Sequence, residues 1–480
     1  IVGHGHVARL LTPILVSRGA TVTSIIRNPD QAAELESLGA KPNMSVPAAT
    51  HGRAEMEAAY RFFDNDKVSP EKILKPHIEA TRQRVAQTDV ALLVQDTTDL
   101  DLTRPKQQVR GAGPLEYHTR LGVFFHPLVA FNEYGLPLGI VWQKSWTRSK
   151  IKKMTTNEKG RWIRKTSVEE KETYRWIEGL RAAREVAEAC PQTTCVCIAD
   201  SDADVYELFC EPRATSHGEV HLLVRACKKR IAVDTEMTWL DAVRATRRLY
   251  QCSVNVSARM AKLSTDKRKR HETREARLAE LEVRAATVTV RHPYRPGRKR
   301  KLPDIPFNVV LAEECNPPND ATPIQWLLAT TLPIQEIQQV RQIVAYYAIR
   351  WQIEIFFRTL KGGCRIQDRQ LETLVRMLNC LAVYAIIAWK VMYLSRLGSE
   401  CPELSCELIF EPSEWKSVWM TVRKATPPSL PPPLNEMIRM IASLGGYVIR
   451  QSTRPGPQTL WFGLQRVYDL STAWQTFGPR

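Results

Sequence analysis

The sequence has no arrangement of cysteine or histidine that would hold a soft metal ion. Its 11 cysteines are scattered, no two form a CxxC pair, and none stands at ligand spacing from a histidine. A zinc-binding module is therefore not indicated. Cys195 and Cys197 lie in an apolar run, so we expect buried, reduced thiols in a protein of the reducing cytosol.

A membrane span, an export signal and an internal repeat are also missing from the sequence. The longest apolar run, LNCLAVYAIIAWKVMYL from Leu378, is interrupted by Asn379 and Lys390 and is short for a span. We expect it to form a core helix. The chain starts at Ile1 without a methionine, which is consistent with a fragment of a longer protein.

Acidic residues are in short supply. The chain has 51 Asp and Glu against 68 Lys and Arg, a formal net charge of +17 and a pI near 9.4. Such a balance predicts an acidic partner, most often nucleic acid, and says nothing about fold. The length of 480 residues allows roughly two to four domains.

The first forty residues differ in pattern from the rest. A strand end is followed by Gly3-x-Gly5-x-x-Ala8, a helix and a second strand, which is the order of a dinucleotide-binding βαβ unit. The stretch resembles the opening of NAD(P)-dependent epimerases, and Arg27 after the second strand favours NADP. Because no further strand continues the pattern beyond Ala40, we interpret residues 1–41 as a truncated remnant without a working cofactor site. An NADP-binding oxidoreductase or epimerase is the alternative that this stretch alone would favour.

Two apolar runs each end in an aspartate. VALLV precedes Asp96, and CVCIA precedes Asp200. Neither run alternates with polar residues, which predicts strands buried on both faces. The carboxyl ends of such strands present ligands and catalytic groups in α/β sheets. The alternative for each aspartate is an ordinary helix cap or turn residue.

The segment YAIRWQIEIFFRTLKG adds a third carboxylate. Drawn as one helix at about 100° per residue, its polar side chains fall within an arc of about 80°. They are Tyr347, Arg350, Glu354, Arg358 and Lys361. The alternative is a solvated face with ordinary ion pairs. Three carboxylates in a basic chain favour two Mg²⁺ ions about 4 Å apart, since oxygen atoms are the ligands that Mg²⁺ prefers.

These motifs together resemble the cut-and-paste DDE transposases. Asp96 in VQDTT, Asp200 in ADSDAD and the spacing Tyr347-x2-Arg350-x3-Glu354-x6-Lys361 are similar to the insertion-sequence-four-like branch, which includes the transposase of transposon five. The resemblance extends from about residue 45 to the end, through AYRFFDN, EECNPP, PIQWLLATT and TLWFGLQ. It implies an α/β fold with an RNase H-like catalytic core, a β-rich insertion and a mostly helical C-terminal dimerisation region.

The resemblance also assigns roles to residues. Asp96, Asp200 and Glu354 would bind two Mg²⁺ ions, with Mn²⁺ as a substitute, and would be the catalytic residues. Double-stranded DNA, both transposon ends and target, would be held by Tyr347, Arg350, Arg358 and Lys361, with Trp326 stacking on a flipped base. A core aromatic is the alternative for Trp326. The basic clusters at residues 267–270 and 298–301 would contact phosphates, or else keep loops solvated.

The expected domains follow from the same resemblance. Residues 42–88 would be the remnant of a helical DNA-binding domain, 89–363 the catalytic domain with its insertion at about 227–323, and 364–480 the dimerisation region. The resemblance implies a homodimer in the synaptic complex of a bacterial, cytoplasmic protein that associates with the nucleoid on DNA. The alternative function is a catalytically silent, DNA-binding relic or an inhibitor of transposition.

Overall fold

The computed structural model describes residues 44–49, 52–115, 119–149, 155–256, 275–294, 302–318, 323–448 and 455–478. The chain divides into two compact units. The first contains Ile1–Asp89, Thr97–Lys153 and Gln352–Arg480, and the second contains Val90–Asp96 and Met154–Trp351, each over its described residues. The glycine pattern of residues 1–41 and the basic clusters at 267–270 and 298–301 lie outside the described residues, so these interpretations stay predictions.

The strands, in chain order, are β1 Val90–Gln95, β2 Thr98–Asp101, β3 Gly113–Pro114, β4 Leu121–Asn132, β5 Pro137–Trp146, β6 Thr194–Ala199, β7 His221–Arg225, β8 Tyr250–Val256, β9 Arg277–Val290, β10 Ile305–Glu314 and β11 Gln325–Thr330. The α-helices are α1 Val46–Ala49, α2 Arg53–Phe63, α3 Pro70–Val85, α4 Thr156–Lys165, α5 Tyr174–Ala189, α6 Tyr206–Phe209, α7 Trp239–Arg244, α8 Ile337–Ile349, α9 Gln352–Arg358, α10 Leu374–Glu400, α11 Pro412–Arg423, α12 Leu434–Leu444 and α13 Pro457–Phe477.

The second unit is built on a mixed sheet with the strand order β1-β6-β7-β11-β10-β9-β8. β1, β6 and β7 are parallel to one another, and every later pair in the order is antiparallel. The antiparallel part includes the long strands β9 and β10, so residues 227–323 do contribute a β-rich region. An α/β fold is therefore present, as the sequence predicts.

The two apolar runs form central strands, as expected for runs that do not alternate with polar residues. Four apolar residues of β1 and five of β6 are fully shielded from solvent, which requires cover on both faces: Ala91, Leu92, Leu93, Val94, Cys195, Val196, Cys197, Ile198 and Ala199. Helix α5 packs against these strands with its buried face, which includes Trp176, Ile177 and Leu180. All 11 cysteines of the chain are free thiols, and burial raises the pKa of Cys195 and Cys197 to about 12.

The first unit combines an antiparallel sheet with helices. β4 pairs with β2, β3 and β5 in antiparallel fashion. Helix α3 packs on β5, and α10 packs on both. Three later helices, α11 to α13, bury a further apolar cluster against the end of α10. The C-terminal region is thus mostly helical, as predicted.

Helix α10 contains the long apolar run. By length and composition alone, this helix could cross a membrane, and it is the one helix among the described residues of which this is true. Of its most apolar window 78% is buried inside the protein, which is the behaviour of a core helix. This agrees with the prediction made for the run at Leu378.

The segment from Tyr347 to Gly362 is not the single helix that we predicted. Helix α8 ends at Ile349, α9 begins at Gln352, and residues Thr359–Gly363 form a π-helical turn. At the break the backbone N–H groups of Arg350 and Trp351 donate to carbonyls three residues back, which tightens the turn. One helical wheel therefore does not describe the whole segment, and its two halves belong to different units.

Candidate active site

Asp96 and Asp200 lie at the same edge of the sheet in the second unit. Asp96 follows the last residue of β1 and Asp200 follows the last residue of β6. The two strands are neighbours and parallel, with Val94 opposite Ile198, so their carboxyl ends meet. Asp96 is buried, with 8% of the whole residue exposed. The structure therefore brings together two of the three carboxylates that the sequence identifies.

The surroundings of Asp200 disfavour its negative charge. Its Oδ1 accepts a hydrogen bond from the backbone N–H of Asp202 at 2.9 Å and so caps the short turn Ser201–Ala203. Burial, followed by the charge of Asp202, raises the pKa of Asp200, while Arg350 and Arg175 act in the opposite direction. A cation placed here would stabilise the charged form.

Arg350 is the direct partner of Asp96. Its Nη1 donates to Asp96 Oδ2 at 3.1 Å, and the two side chains are 11% and 12% exposed. The guanidinium of Arg350 lies 5.9 Å from the ring centre of Tyr347, and burial raises the pKa of that tyrosine. The ring of Trp326 meets Tyr347 edge to face at 5.6 Å. Trp326 is half-buried on β11, next to Tyr347 of α8.

Sequence reasoning missed Arg175 in the first turn of α5. Burial lowers the pKa of this guanidinium, and the charges of Asp202, Glu172, Asp200 and Asp96 counteract the effect of burial. Arg175 is therefore a second cation whose charge interacts with those of the carboxylates. One arginine among the many of a basic chain carries no distinguishing sequence signal, since its role depends on how α5 packs on the sheet.

Gln95 was missed as well. The residue before Asp96 is fully buried, and its Nε2 donates to Cys197 Sγ at 3.2 Å and to the carbonyl of Trp176 at 3.4 Å. A polar side chain in an otherwise apolar strand was the signal that could have identified it. Gln95 ties β1, β6 and α5 together immediately beside the first carboxylate.

The remaining residues of the predicted site belong to the first unit. Glu354 is half-buried in the first turn of α9, and Arg358 is exposed in the last turn of that helix. Lys361 lies in the π-helical turn, where its Nζ is 3.4 Å from Asp99 Oδ1. The structure thus places Glu354, Arg358 and Lys361 in one unit and both aspartates in the other.

The donor chemistry of the two aspartates fits a divalent cation. Both offer carboxylate oxygens, the ligands of Mg²⁺ and Mn²⁺, and Asp200 is destabilised in its charged form. Neither unit, over its described residues, holds three His, Cys, Asp or Glu side chains grouped as a complete metal site.

Three protein-family models match this chain. A transposase DNA-binding model matches residues 32–68, a transposase DDE domain matches residues 180–389, and a Tn5 transposase dimerisation domain matches residues 386–473. The DDE match includes Asp200 and Glu354 and begins after Asp96. The DNA-binding match begins inside residues 1–41, so the proposed boundary at residue 41 and the epimerase-like remnant stay predictions.

One solved structure with a similar chain is the cryo-EM structure of the piggyBac transposase synaptic complex with hairpin DNA. The sequence identity is 10%, the alignment covers 82% of this chain and 72% of that chain, and the TM-score is 0.35. A TM-score this low does not establish a common fold, so nothing is concluded from this structure.

The mixed α/β fold and the family matches define this chain as a DDE transposase, with an RNase H-like catalytic region, a DNA-binding segment and a helical C-terminal dimerisation region. Within that class it is similar to the transposase of Tn5. The predicted family and fold class are thereby confirmed. DNA is the partner that the DNA-binding match supports.

Proposed function

We propose that this transposase cuts and joins DNA at the ends of a mobile element by a cut-and-paste route, with Asp96, Asp200 and Glu354 as its metal ligands. The observation that carries the proposal is the pair of aspartates at the ends of two adjacent parallel strands, one of them with a raised pKa. Glu354 would be the third ligand, which its position in the motif supports, and the DDE match includes this residue.

Each residue of the site would have a distinct task. Bound divalent ions would activate a water molecule and stabilise the leaving 3′-oxygen. The three carboxylates would hold those ions, and Arg350 would orient Asp96 through their 3.1 Å contact. Tyr347, Arg358 and Lys361 would bind the DNA backbone near the scissile phosphate, and Trp326 would stack on a displaced base.

The chemistry would be a series of phosphoryl transfers that exchange one P–O bond for another. Water would first break the strand and release a 3′-OH and a 5′-phosphate. The 3′-OH would then attack the opposite strand, forming a hairpin and releasing the flanking DNA. Water would reopen the hairpin, and the 3′-OH would finally join target DNA. None of these steps consumes a high-energy cofactor, and two protomers would each act on one end.

Cleavage of DNA that carries the gene with its native flanks tests the proposal. The wild-type chain and Mg²⁺ should give paired cuts whose ends map to inverted repeats, and Glu354→Gln should abolish cutting while DNA binding is largely retained. Glu400→Gln, which removes an exposed carboxylate at the end of α10, is the matched control and should cut normally. Retained metal-dependent cutting by Glu354→Gln would refute the site assignment. DNA binding by the wild-type chain without any cutting would favour the silent relic.

A further inference from the structure

Two cations of the first unit share a single carboxylate. Lys361 Nζ lies 3.4 Å from Asp99 Oδ1, and Arg120 Nη2 lies 3.6 Å from Asp99 Oδ2. Arg120 Nε also donates to Asp101 Oδ2 at 2.8 Å. Asp99 therefore lies between an ammonium and a guanidinium, with one of its oxygens towards each.

The backbone fixes the position of these side chains. Asp99 and Asp101 stand two residues apart on β2, so they point to the same face of the strand, while Leu100 between them is fully buried. β2 pairs with β4, the strand that begins immediately after Arg120. Strand pairing thus holds both partners of Arg120 in place.

Lys361 is held by a separate element of the first unit. It lies in the π-helical turn Thr359–Gly363, whose Leu360 is fully buried. Gly363 packs so closely on Trp461 that an added Cβ would lie 2.5 Å from the indole ring. Single π-helical turns occur often at functional sites. The ammonium of Lys361 is therefore presented from a fixed backbone.

The three charges remain accessible to water. The side chains of Lys361, Arg120 and Asp99 are 28%, 39% and 37% exposed. Ion pairs of this kind contribute little to stability, so the cations can exchange Asp99 for a stronger anion at low cost. A DNA phosphate offers two oxygens to an arginine and a lysine in the way that a carboxylate does.

We propose that Arg120 and Lys361 together bind the DNA phosphate backbone, and that Asp99 occupies the position of that anion when DNA is absent. The proposal rests on the proposed function in one respect, which is the assignment of Lys361 as a DNA contact. It adds Arg120 as a contact that no sequence motif contains, and it makes Asp99 a competitor of DNA.

Changes in affinity follow from the charges. Loss of Arg120 removes one phosphate contact, so the slope of log affinity against log salt should become shallower by about 1. Loss of the charge on Asp99 removes a repulsion at about 5 Å from the phosphate, and affinity should rise about fourfold at low salt. The gain should be lost when Lys361 and Arg120 are both neutral, because no phosphate is then held beside Asp99.

The test is fluorescence anisotropy of a labelled duplex titrated with the full chain over a range of KCl concentrations. The variants are Arg120→Gln, Arg120→Lys, Lys361→Gln and Asp99→Asn, together with the double variant Arg120→Gln/Lys361→Gln and the same double variant carrying Asp99→Asn. Arg120→Gln should flatten the salt slope, Arg120→Lys should restore it, and Asp99→Asn should bind more tightly. Glu436→Gln removes one acid from an exposed pair with Arg423 and controls for the change in net charge.

The outcomes separate this inference from the proposed function. A wild-type salt slope in a folded Arg120→Gln variant, or weaker binding by Asp99→Asn, would overturn the inference even if the wild-type chain cuts DNA. A gain in affinity by Glu436→Gln as large as that by Asp99→Asn would overturn it too, since net charge would then be the cause. Absence of any DNA binding by the wild-type chain would overturn the proposed function and this inference together.

Discussion

Asp200 and Asp204 come from the same acidic run, four residues apart, and have opposite surroundings. Asp204 is fully buried and accepts hydrogen bonds from the backbone N–H groups of Cys227 and Lys228 and from the guanidinium of Arg230. The strand-end Asp200 accepts a hydrogen bond from the backbone N–H of Asp202, and its pKa is raised by burial and by that neighbour's charge.

The difference separates a structural acid from one available to a ligand. The guanidinium of Arg230 is itself enclosed, at 5.3, 5.1 and 5.6 Å from the ring centres of Tyr206, Phe209 and Trp239. This network ties the loop after β6 to the loop after β7. A carboxylate whose oxygens are satisfied by the protein has little capacity left for a metal, whereas a destabilised one gains from binding it.

The largest effect should come from Asp200. Asp200→Asn removes a proposed metal ligand, so we expect cleavage to fall at least about 10³-fold, which corresponds to about 4 kcal/mol of transition-state stabilisation. The unfolding temperature should be unchanged or higher, because the variant removes a charge that burial disfavours. End-mapped DNA cleavage and thermal unfolding, measured on the same preparation, check both parts. Normal cutting by Asp200→Asn would erase the contrast with Asp204.

Asp204 should show the reverse behaviour. Asp204→Ala leaves Arg230 buried without its carboxylate, so the free energy of unfolding of the second unit should fall by about 3–5 kcal/mol. Chemical denaturation monitored by tryptophan fluorescence measures the loss. The double variant Asp204→Ala/Arg230→Met should recover part of it, since no unpaired charge then remains. A double variant as unstable as the single one would show that the backbone bonds to Asp204, not the ion pair, dominate.

Features of the fold and site that depend on the local sequence pattern were predictable. Unbroken apolar runs identified β1 and β6, and an aspartate directly after each identified the strand-end pair. The break between α8 and α9 was not predictable, because Arg350 and Trp351 have helical propensity and no proline or glycine marks the turn. The role of Arg175 and the difference between Asp200 and Asp204 depend on which elements pack beside them. The spacing of apolar and polar residues along the sequence does not contain that information.

A substitution at Gly179 should show that the aspartates at the ends of β1 and β6 depend on the packing of α5. An added Cβ would lie 2.1 Å from Gln95 Oε1, so Gly179→Ala must displace either α5 or the side chain beside Asp96. We expect a loss of about 1–3 kcal/mol in stability and a lower cleavage rate. Gly456→Ala is the control, since nothing lies within 4 Å of its added Cβ.

A double-mutant cycle separates the clash from helix effects at Gly179. Gln95→Ala removes the atoms that the new methyl group meets, so Gly179→Ala should cost less in that background than in the wild type. Denaturation midpoints of the four proteins give the coupling free energy. Equal costs in both backgrounds would mean that the helix does not act on the site through Gln95.

The smallest expected effect is a change in local stability around His77, a buried side chain of the first unit that, like Asp204, is satisfied by the protein. Its Nε2 accepts a hydrogen bond from the backbone N–H of Ile140 at 3.0 Å, and burial, with Arg84 adding to it, lowers the pKa of His77 well below 6.5. The native state therefore stays neutral where the unfolded state takes up a proton. Stability contributed by neutral His77 is present above pH 6.5 and is lost as the pH falls below that value.

Between pH 7.5 and 5.5 the opening free energy at the Ile140 amide should fall by about 1.4 kcal/mol. Hydrogen exchange, corrected for the intrinsic rate, measures it. His77→Gln should abolish this pH dependence, whereas His217→Gln, at a site where the side chain is 60% exposed, should preserve it. If the pH dependence survives in His77→Gln, another group causes it, and the burial of neutral His77 does not make this part of the first unit sensitive to acid.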